Sequence, residues 1–259
     1  MNQPILRFRP DGLFRILQLT DMHLADTAGR DAVLLSCVPE LIRREKPDLI
    51  ALTGDIACDG TAEHMIEQFT ALYNVMAPFG IPITMTLGNH ESDAYNDFVS
   101  GRQYPLAAAL ESLPLCLFER GPAELGTGNY ALPVYPHDGG DKPAWMLYHL
   151  DCHASRPYRT GDSGTTTSDA YVWPAQVAWL KQTHTALQEA YGAVPSILFD
   201  HVPLPEFNEV WMFEGFSGDF GEKVCCPPVN SGLFAELYRL GDFRGVFAGH
   251  DHTNSFSGK

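Results

Sequence analysis

The chain has 259 residues, 45% hydrophobic and 19% charged, which is enough to bury a large core as a single domain over residues 1–259. Its formal charge of −15 lacks the positive footprint of a general nucleic-acid binder, so no nucleic-acid partner is expected. No apolar run reaches the length of a transmembrane helix, and residues 1–10 contain no signal-peptide core, so the expected home is cytoplasmic, with no membrane partner.

Residues 13–20 alternate in hydrophobicity and end at Asp21, as a half-buried strand does. Residues 31–46 have helical periodicity through Val33, Leu34, Val38, Leu41 and Ile42, and Pro47 stops them. Residues 48–53 form a short apolar run typical of a strand covered on both faces. Residues 61–76 predict a helix capped by Thr61, and residues 82–87 a third strand. This β-α-β-α-β order implies parallel strands joined by right-handed crossovers. Further on, residues 104–112 predict a helix, and 115–118, 128–133 and 144–151 predict strands. Residues 152–171 read as a polar loop. Pro174 opens a helix over 174–191, a strand follows at 196–199, and 203–229 read as a second long loop. A helix over 231–240 with Ser231 as its cap and a strand over 243–248 complete the pattern.

Polar blocks stand at the ends of these strands: Asp21-Met22-His23, Gly54-Asp55, Gly88-Asn89-His90-Glu91, Asp200-His201-Val202-Pro203 and Gly249-His250-Asp251-His252. Open α/β sheets bind ligands beyond the carboxyl ends of their strands. Residues two apart on extended backbone point the same way, so Asp21 with His23, and His250 with His252, can each approach one point. Asp55 offers two carboxylate oxygens, which can bridge two ions. Asn89 offers an amide oxygen and His201 an imidazole nitrogen. This mixed nitrogen and oxygen set suits Fe, Mn or Zn rather than a thiolate-bound metal. Taken singly, each block is common; five in this order point to a centre for two ions.

The pattern D-x-H, G-D, G-N-H-[DE], H and G-H-x-H resembles the calcineurin-like metallophosphoesterase superfamily from about Leu13 onward. The segments 171–177, 200–206, 229–234 and 249–254 are similar to the branch with Dcr2-type and purple acid phosphatase 29-like proteins. The resemblance implies an α/β fold of four layers, α/β/β/α, around two mixed sheets. It implies Asp21, His23, Asp55 and His252 around one divalent or trivalent ion, and Asp55, Asn89, His201 and His250 around a second. His90 would face the substrate phosphate as a general acid or charge stabiliser. The expected reaction is hydrolysis of a small phosphate monoester, or of a phosphoprotein, by a metal-bridged hydroxide. A cyclic-nucleotide phosphodiesterase shares the same blocks, and a catalytically weak binding module is the reading from another class. The oligomeric state is open.

Two features depart from the family pattern. Purple acid phosphatases place a metal-binding tyrosine three residues after the bridging Asp, where this chain has Cys58, read as a packed residue or a soft ligand. The chain also ends seven residues after His252, where relatives continue, so one sheet is expected to be incomplete at its C-terminal end. Outside the blocks, His149, Asp151 and His153 read as turn and rim residues, or as support lining the cleft. His64, His137 and His184 read as exposed. Cys225 and Cys226 are read as packed, with a vicinal disulfide as the other option. Phe207, Trp211, Phe213 and Phe216 read equally as a substrate wall or a satellite core.

Overall fold

The computed structural model describes residues 3–25, 29–58, 61–91, 105–153, 156–159, 165–168, 171–212 and 215–259. After the short β1 (Leu6–Arg7), the chain alternates β2 (Ile16–Leu19), α1 (Arg30–Glu45), β3 (Leu49–Thr53), α2 (Ala62–Met76) and β4 (Ile83–Thr86). The strands form a parallel sheet in the order β2-β3-β4. All five residues of the central β3 are buried, as an apolar run covered on both faces requires. The Thr61 hydroxyl accepts the backbone N–H of His64 at 3.3 Å and caps α2.

The open edge of β4 is closed by other means than a full strand. Leu117 donates to Ile83 and Ile83 to Leu115, both at 2.8 Å. The strand expected at 115–118, which follows α3 (Pro105–Ser112), is therefore only an isolated bridge of Cys116 to Ile83. Farther along, the Tyr130 hydroxyl accepts the N–H of Met85 at 3.1 Å and donates to the carbonyl of the same residue at 2.8 Å. The expected helix start at residue 104 lies outside the described residues.

The second half begins with β5 (Tyr130–Tyr135) and β6 (Trp145–His149). What reads as a polar loop over 152–171 holds an antiparallel hairpin, β7 (Arg156–Arg159) and β8 (Thr165–Ser168); the rest of that stretch lies partly outside the described residues. Next come α4 (Pro174–Tyr191) and β9 (Ser196–Phe199), each with its expected bounds. The loop expected over 203–229 contains α5 (Phe207–Val210) and β10 (Ser217–Phe220). Then follow α6 (Leu233–Leu240), β11 (Phe243–Phe247) and β12 (Asn254–Ser257). Gly232, at φ 76°, stands at the N-cap of α6 in place of Ser231 and makes no side-chain cap bond. β10 pairs antiparallel with β12, a short polar partner that periodicity does not reveal.

The second sheet has the order β1-β5-β6-β9-β11 and is mixed, because β5 runs antiparallel to β6. Alternation along β6 separates the two cores. Leu147 joins Tyr130, Leu132 and Phe199 in the layer facing β2–β4, which packs on α1, α2 and α3 through Val38, Ile42, Phe69, Leu72 and Leu106. Met146 and Tyr148 face the other way, onto Leu180 of α4 and Leu233 and Leu237 of α6. The result is the expected α/β/β/α stack, with the mixed pairing confined to the five-stranded sheet. Among the described residues, no helix is long and apolar enough to cross a membrane.

Candidate metal centre

Each polar block follows the carboxyl end of a parallel strand: Asp21 after β2, Asp55 after β3, Asn89 after β4, His201 after β9 and His250 after β11. Backbone and side-chain hydrogen bonds clamp the two sheets together at this end. Gln18 Nε2 donates to the Ala248 carbonyl at 3.0 Å, and the His250 N–H donates to Asp21 Oδ2 at 2.9 Å. His201 Nδ1 donates to the Thr53 carbonyl at 2.7 Å. That bond fixes the ring so that Nε2 points into the centre, the tautomer a metal ligand needs.

Three sets of ligand atoms each lie within 4.8 Å of one another: Asp21, His23 and His252; Asp55, His201 and His250; and His23, Asp55 and His90. His23 Nε2 is 3.0 Å from His252 Nε2, and His252 Nε2 is 3.7 Å from Asp21 Oδ1. Asp55 Oδ2 is 3.1 Å from His201 Nε2 and 3.8 Å from His23 Nε2. The first set brings together Asp21, His23 and His252 of one expected ligand group, and the second Asp55, His201 and His250 of the other. The third brings His90 to the same carboxylate, its Nε2 4.0 Å from Asp55 Oδ2. Asn89 is buried beside them.

The residues present fit metal ions on grounds of their own chemistry. Asp21 Oδ1 is buried yet makes no hydrogen bond, a costly arrangement unless a cation meets it, and His201 Nε2 is buried facing the Asp55 carboxylate. Asp21, His23, Asp55 and His250 all adopt left-handed backbone, with φ of 53°, 46°, 51° and 73°. Each such non-glycine residue costs about 1–2 kcal/mol, and such strain gathers at binding sites. Burial works against charge on His201, but Asp55 beside it more than compensates and raises its pKa to about 9. Burial likewise opposes the Asp55 carboxylate, yet His201 and the His90 backbone N–H hold it down to about 2.

Glu91 is a functional residue that the sequence reading left without a role. It is buried, and its carboxylate accepts the N–H groups of Asp55 at 2.9 Å, Ile56 at 2.8 Å, Ala57 at 3.3 Å and Gly88 at 2.6 Å. One side chain thus ties the loop after β3 to the loop after β4. Burial, and then the nearby Asp55, raise its pKa to about 7. Gly88 is required for this closeness, since a Cβ there would stand 2.2 Å from Asp55 Oδ1. The only sequence signal for Glu91 is its place in the G-N-H-E block.

Other expectations need correction. His149, Asp151 and His153 are not rim residues; all three are buried. His149 is stacked between Tyr130 and Phe199, with ring centroids 4.5 and 5.0 Å away, and its Nδ1 meets Thr86 Oγ1 at 2.9 Å. Burial lowers its pKa to about 3. His153 Nε2 meets Gln176 Oε1 at 2.8 Å, and Gln176 Nε2 donates to Asn129 Oδ1 at 2.7 Å and to the Asp151 carbonyl at 2.8 Å. His184 is also buried, on Asp242 at 3.3 Å, because α4 turns it toward the sheet. His137 is exposed and His64 half-buried. Cys58 is packed inside and belongs to none of the three ligand sets. Cys225 is exposed, and neither it nor Cys226 forms a disulfide. Phe213 lies outside the described residues.

The fold and this strand-end cluster define a metallo-dependent phosphatase architecture. The comparisons narrow that class: residues 14–254 match the family described as "Calcineurin-like phosphoesterase", and the chain belongs to it. It is 31% identical over 281 residues to "Probable inactive purple acid phosphatase 29" of Arabidopsis thaliana, covering 98% of this chain and 70% of that protein. It is 27% identical to "Phosphatase DCR2" of Saccharomyces cerevisiae, covering 95% of this chain and 45% of the yeast protein. These relatives place it in the branch that its motifs resemble. A solved dimetal phosphatase from Danio rerio superposes with a TM-score of 0.57 at 15% identity, covering 92% of this chain and 82% of that one, a likeness of fold.

Proposed function

We propose that this chain is a dinuclear metal-dependent phosphatase that hydrolyses phosphate monoesters. The observation that carries the reading is the convergence, at one end of two sheets, of His and Asp ligand atoms that include the buried Asp21 Oδ1, which makes no hydrogen bond. Asp21, His23, Asp55 and His252 would hold one ion, and Asp55, Asn89, His201 and His250 the other. Fe, Mn and Zn all suit this donor set. Bound there, such a pair supplies Lewis acidity to a phosphoryl oxygen and acidifies water at neutral pH.

The protein's own groups then position and protonate. The Asp55 carboxylate is locked by the His90 N–H at 2.9 Å on Oδ1, which leaves Oδ2 facing the imidazoles. Thr20 and the His250 N–H hold Asp21 Oδ2 at 2.6 and 2.9 Å, which leaves Oδ1 facing inward. His90, its side chain 38% exposed, stands at the mouth, where an N–H can meet negative charge developing on the phosphoryl group or pass a proton to the leaving oxygen. A small phosphorylated molecule or a phosphoprotein side chain fits an open mouth of this kind, and a cytoplasmic setting suits the six cysteines, which make no disulfide.

The test joins elemental analysis to a substrate panel. The purified protein is expected to carry two ions per chain and to hydrolyse an aryl phosphate faster than a cyclic nucleotide. Faster turnover of the cyclic diester would replace the monoesterase reading with a phosphodiesterase. A folded protein that binds no Fe, Mn or Zn would sink both.

A further inference from the structure

The chain that leaves β9 at His201 and returns at His250 carries an exposed aromatic patch. Trp211 is 42% exposed, Met212 56% and Phe220 40%. Trp211 stacks on Phe220 with centroids 4.8 Å apart and planes at 25°. Phe220 in turn meets Phe256 at 5.9 Å.

This patch is fastened to the loop that bears His250 and His252. Asn254 Nδ2 donates to Asp251 Oδ2, between the two histidines, at 2.8 Å. Asn254 Oδ1 accepts the N–H groups of Gly221 and Glu222, both at 3.0 Å. The Thr253 N–H donates to Glu222 Oε1 at 2.6 Å. The register of β10 on β12 sets Phe220 opposite Asn254, and directly opposed residues share a face. Phe220 therefore rises on the face from which Asn254 reaches back to the histidine loop. Chain geometry bounds the separation: two residues and one strand spacing put the Phe220 Cα no more than roughly 13 Å from that of His252. Asp219, Glu222 and Asp251 flank the patch, so a second anionic group is disfavoured there while a neutral ring is not.

We propose that Trp211 and Phe220 form the platform on which the organic group of the phosphoester lies, so that preferred substrates carry a neutral aromatic ring beside the phosphate. This rests on the phosphoester reading above. The test is calorimetric binding of two phosphonates, which resist hydrolysis, to the metal-loaded protein. Phenylphosphonate is expected to bind about tenfold tighter than methylphosphonate, a typical gain for one stacked ring. Trp211→Ala and Phe220→Ala should each bring that ratio toward one and leave methylphosphonate affinity unchanged, with circular dichroism confirming the fold. Equal binding of both phosphonates by the unaltered protein would overturn the platform and spare the phosphoester reading. So would a preference that survives both substitutions, including the case where Trp211→Ala instead dissociates a dimer seen by ultracentrifugation. If neither phosphonate binds metal-loaded protein, the phosphoester reading falls and the platform with it.

Discussion

The two ends of the ligand cluster are held in different ways. Asp55 and His201 are 1% and 0% exposed, and each is locked by hydrogen bonds to backbone groups. His252 has 57% of its side chain exposed and stands on a loop secured through Asp251, Thr253 and Asn254 rather than by burial. A rigid, dry cradle pre-pays the ordering of its ligands, whereas an exposed loop must be ordered by the ion it binds. The contrast teaches that two ions bound there would not be held equally: the Asp55–His201 side is already buried and locked by the protein's own hydrogen bonds, while the exposed His252 would be ordered by the ion.

Asp55→Asn strikes both sides at once and should have the largest effect, with loss of both ions by elemental analysis and of turnover by several orders of magnitude. Glu91→Ala should come next, since it strands backbone N–H groups on the buried side. A loss of about 3 kcal/mol in denaturant unfolding is expected, together with weakened metal binding; an unchanged midpoint would show that the cradle does not depend on that carboxylate. His90→Asn should slow turnover by roughly 10²–10⁴-fold with both ions still present, which separates a proton-handling group from a ligand. His252→Ala should lower metal content by one ion at limiting metal and leave the other bound. Retention of two tight ions would erase the proposed asymmetry.

The smallest effect concerns the core behind the buried side. His149 is kept neutral by burial, with its pKa lowered from 6.5 to about 3. The unfolded chain therefore binds a proton that the folded chain refuses between those values. Its contribution is fully present above pH 6.5 and is lost as pH falls toward 3, by about 1.4 kcal/mol per pH unit. Unfolding measured at pH 7 and pH 5 should differ by about 2 kcal/mol from this source, and His149→Phe should remove that part of the slope.

The parallel half of the fold was legible because its signals are local. Residues 48–53 announce a doubly covered strand, Thr61 announces a cap, and Pro47 and Pro174 mark helix ends. The ligand blocks could be read because they sit at strand ends in a fixed order. What escaped depends on partners distant in sequence. β1 has two residues, too few for any period, and exists through its pairing with β5. β10 and β12 are rich in Ser, Gly and Asn and become strands only on meeting each other. His149, His153 and His184 look like surface histidines in sequence, and their burial is decided by Tyr130, Gln176 and Asp242 from other elements. Glu91 needs four N–H groups from two loops before its purpose shows.

The left-handed backbone at Asp21, His23, Asp55 and His250 carries a consequence for how the protein ages and recovers. Side chains at these positions are wanted for their oxygen and nitrogen atoms, while the backbone there would be easier for glycine. Without a cation to reward that conformation, the less buried segments of Asp21–His23 and His250–His252 lose a reason to stay closed. Chelator treatment should therefore raise amide hydrogen exchange first at residues 21–23 and 249–252, before residues 55–57, whose N–H groups Glu91 holds, and before the strands behind them. The resistance of the chain to heat and proteolysis would then track the free metal concentration around it, as any ligand that binds only the folded state dictates.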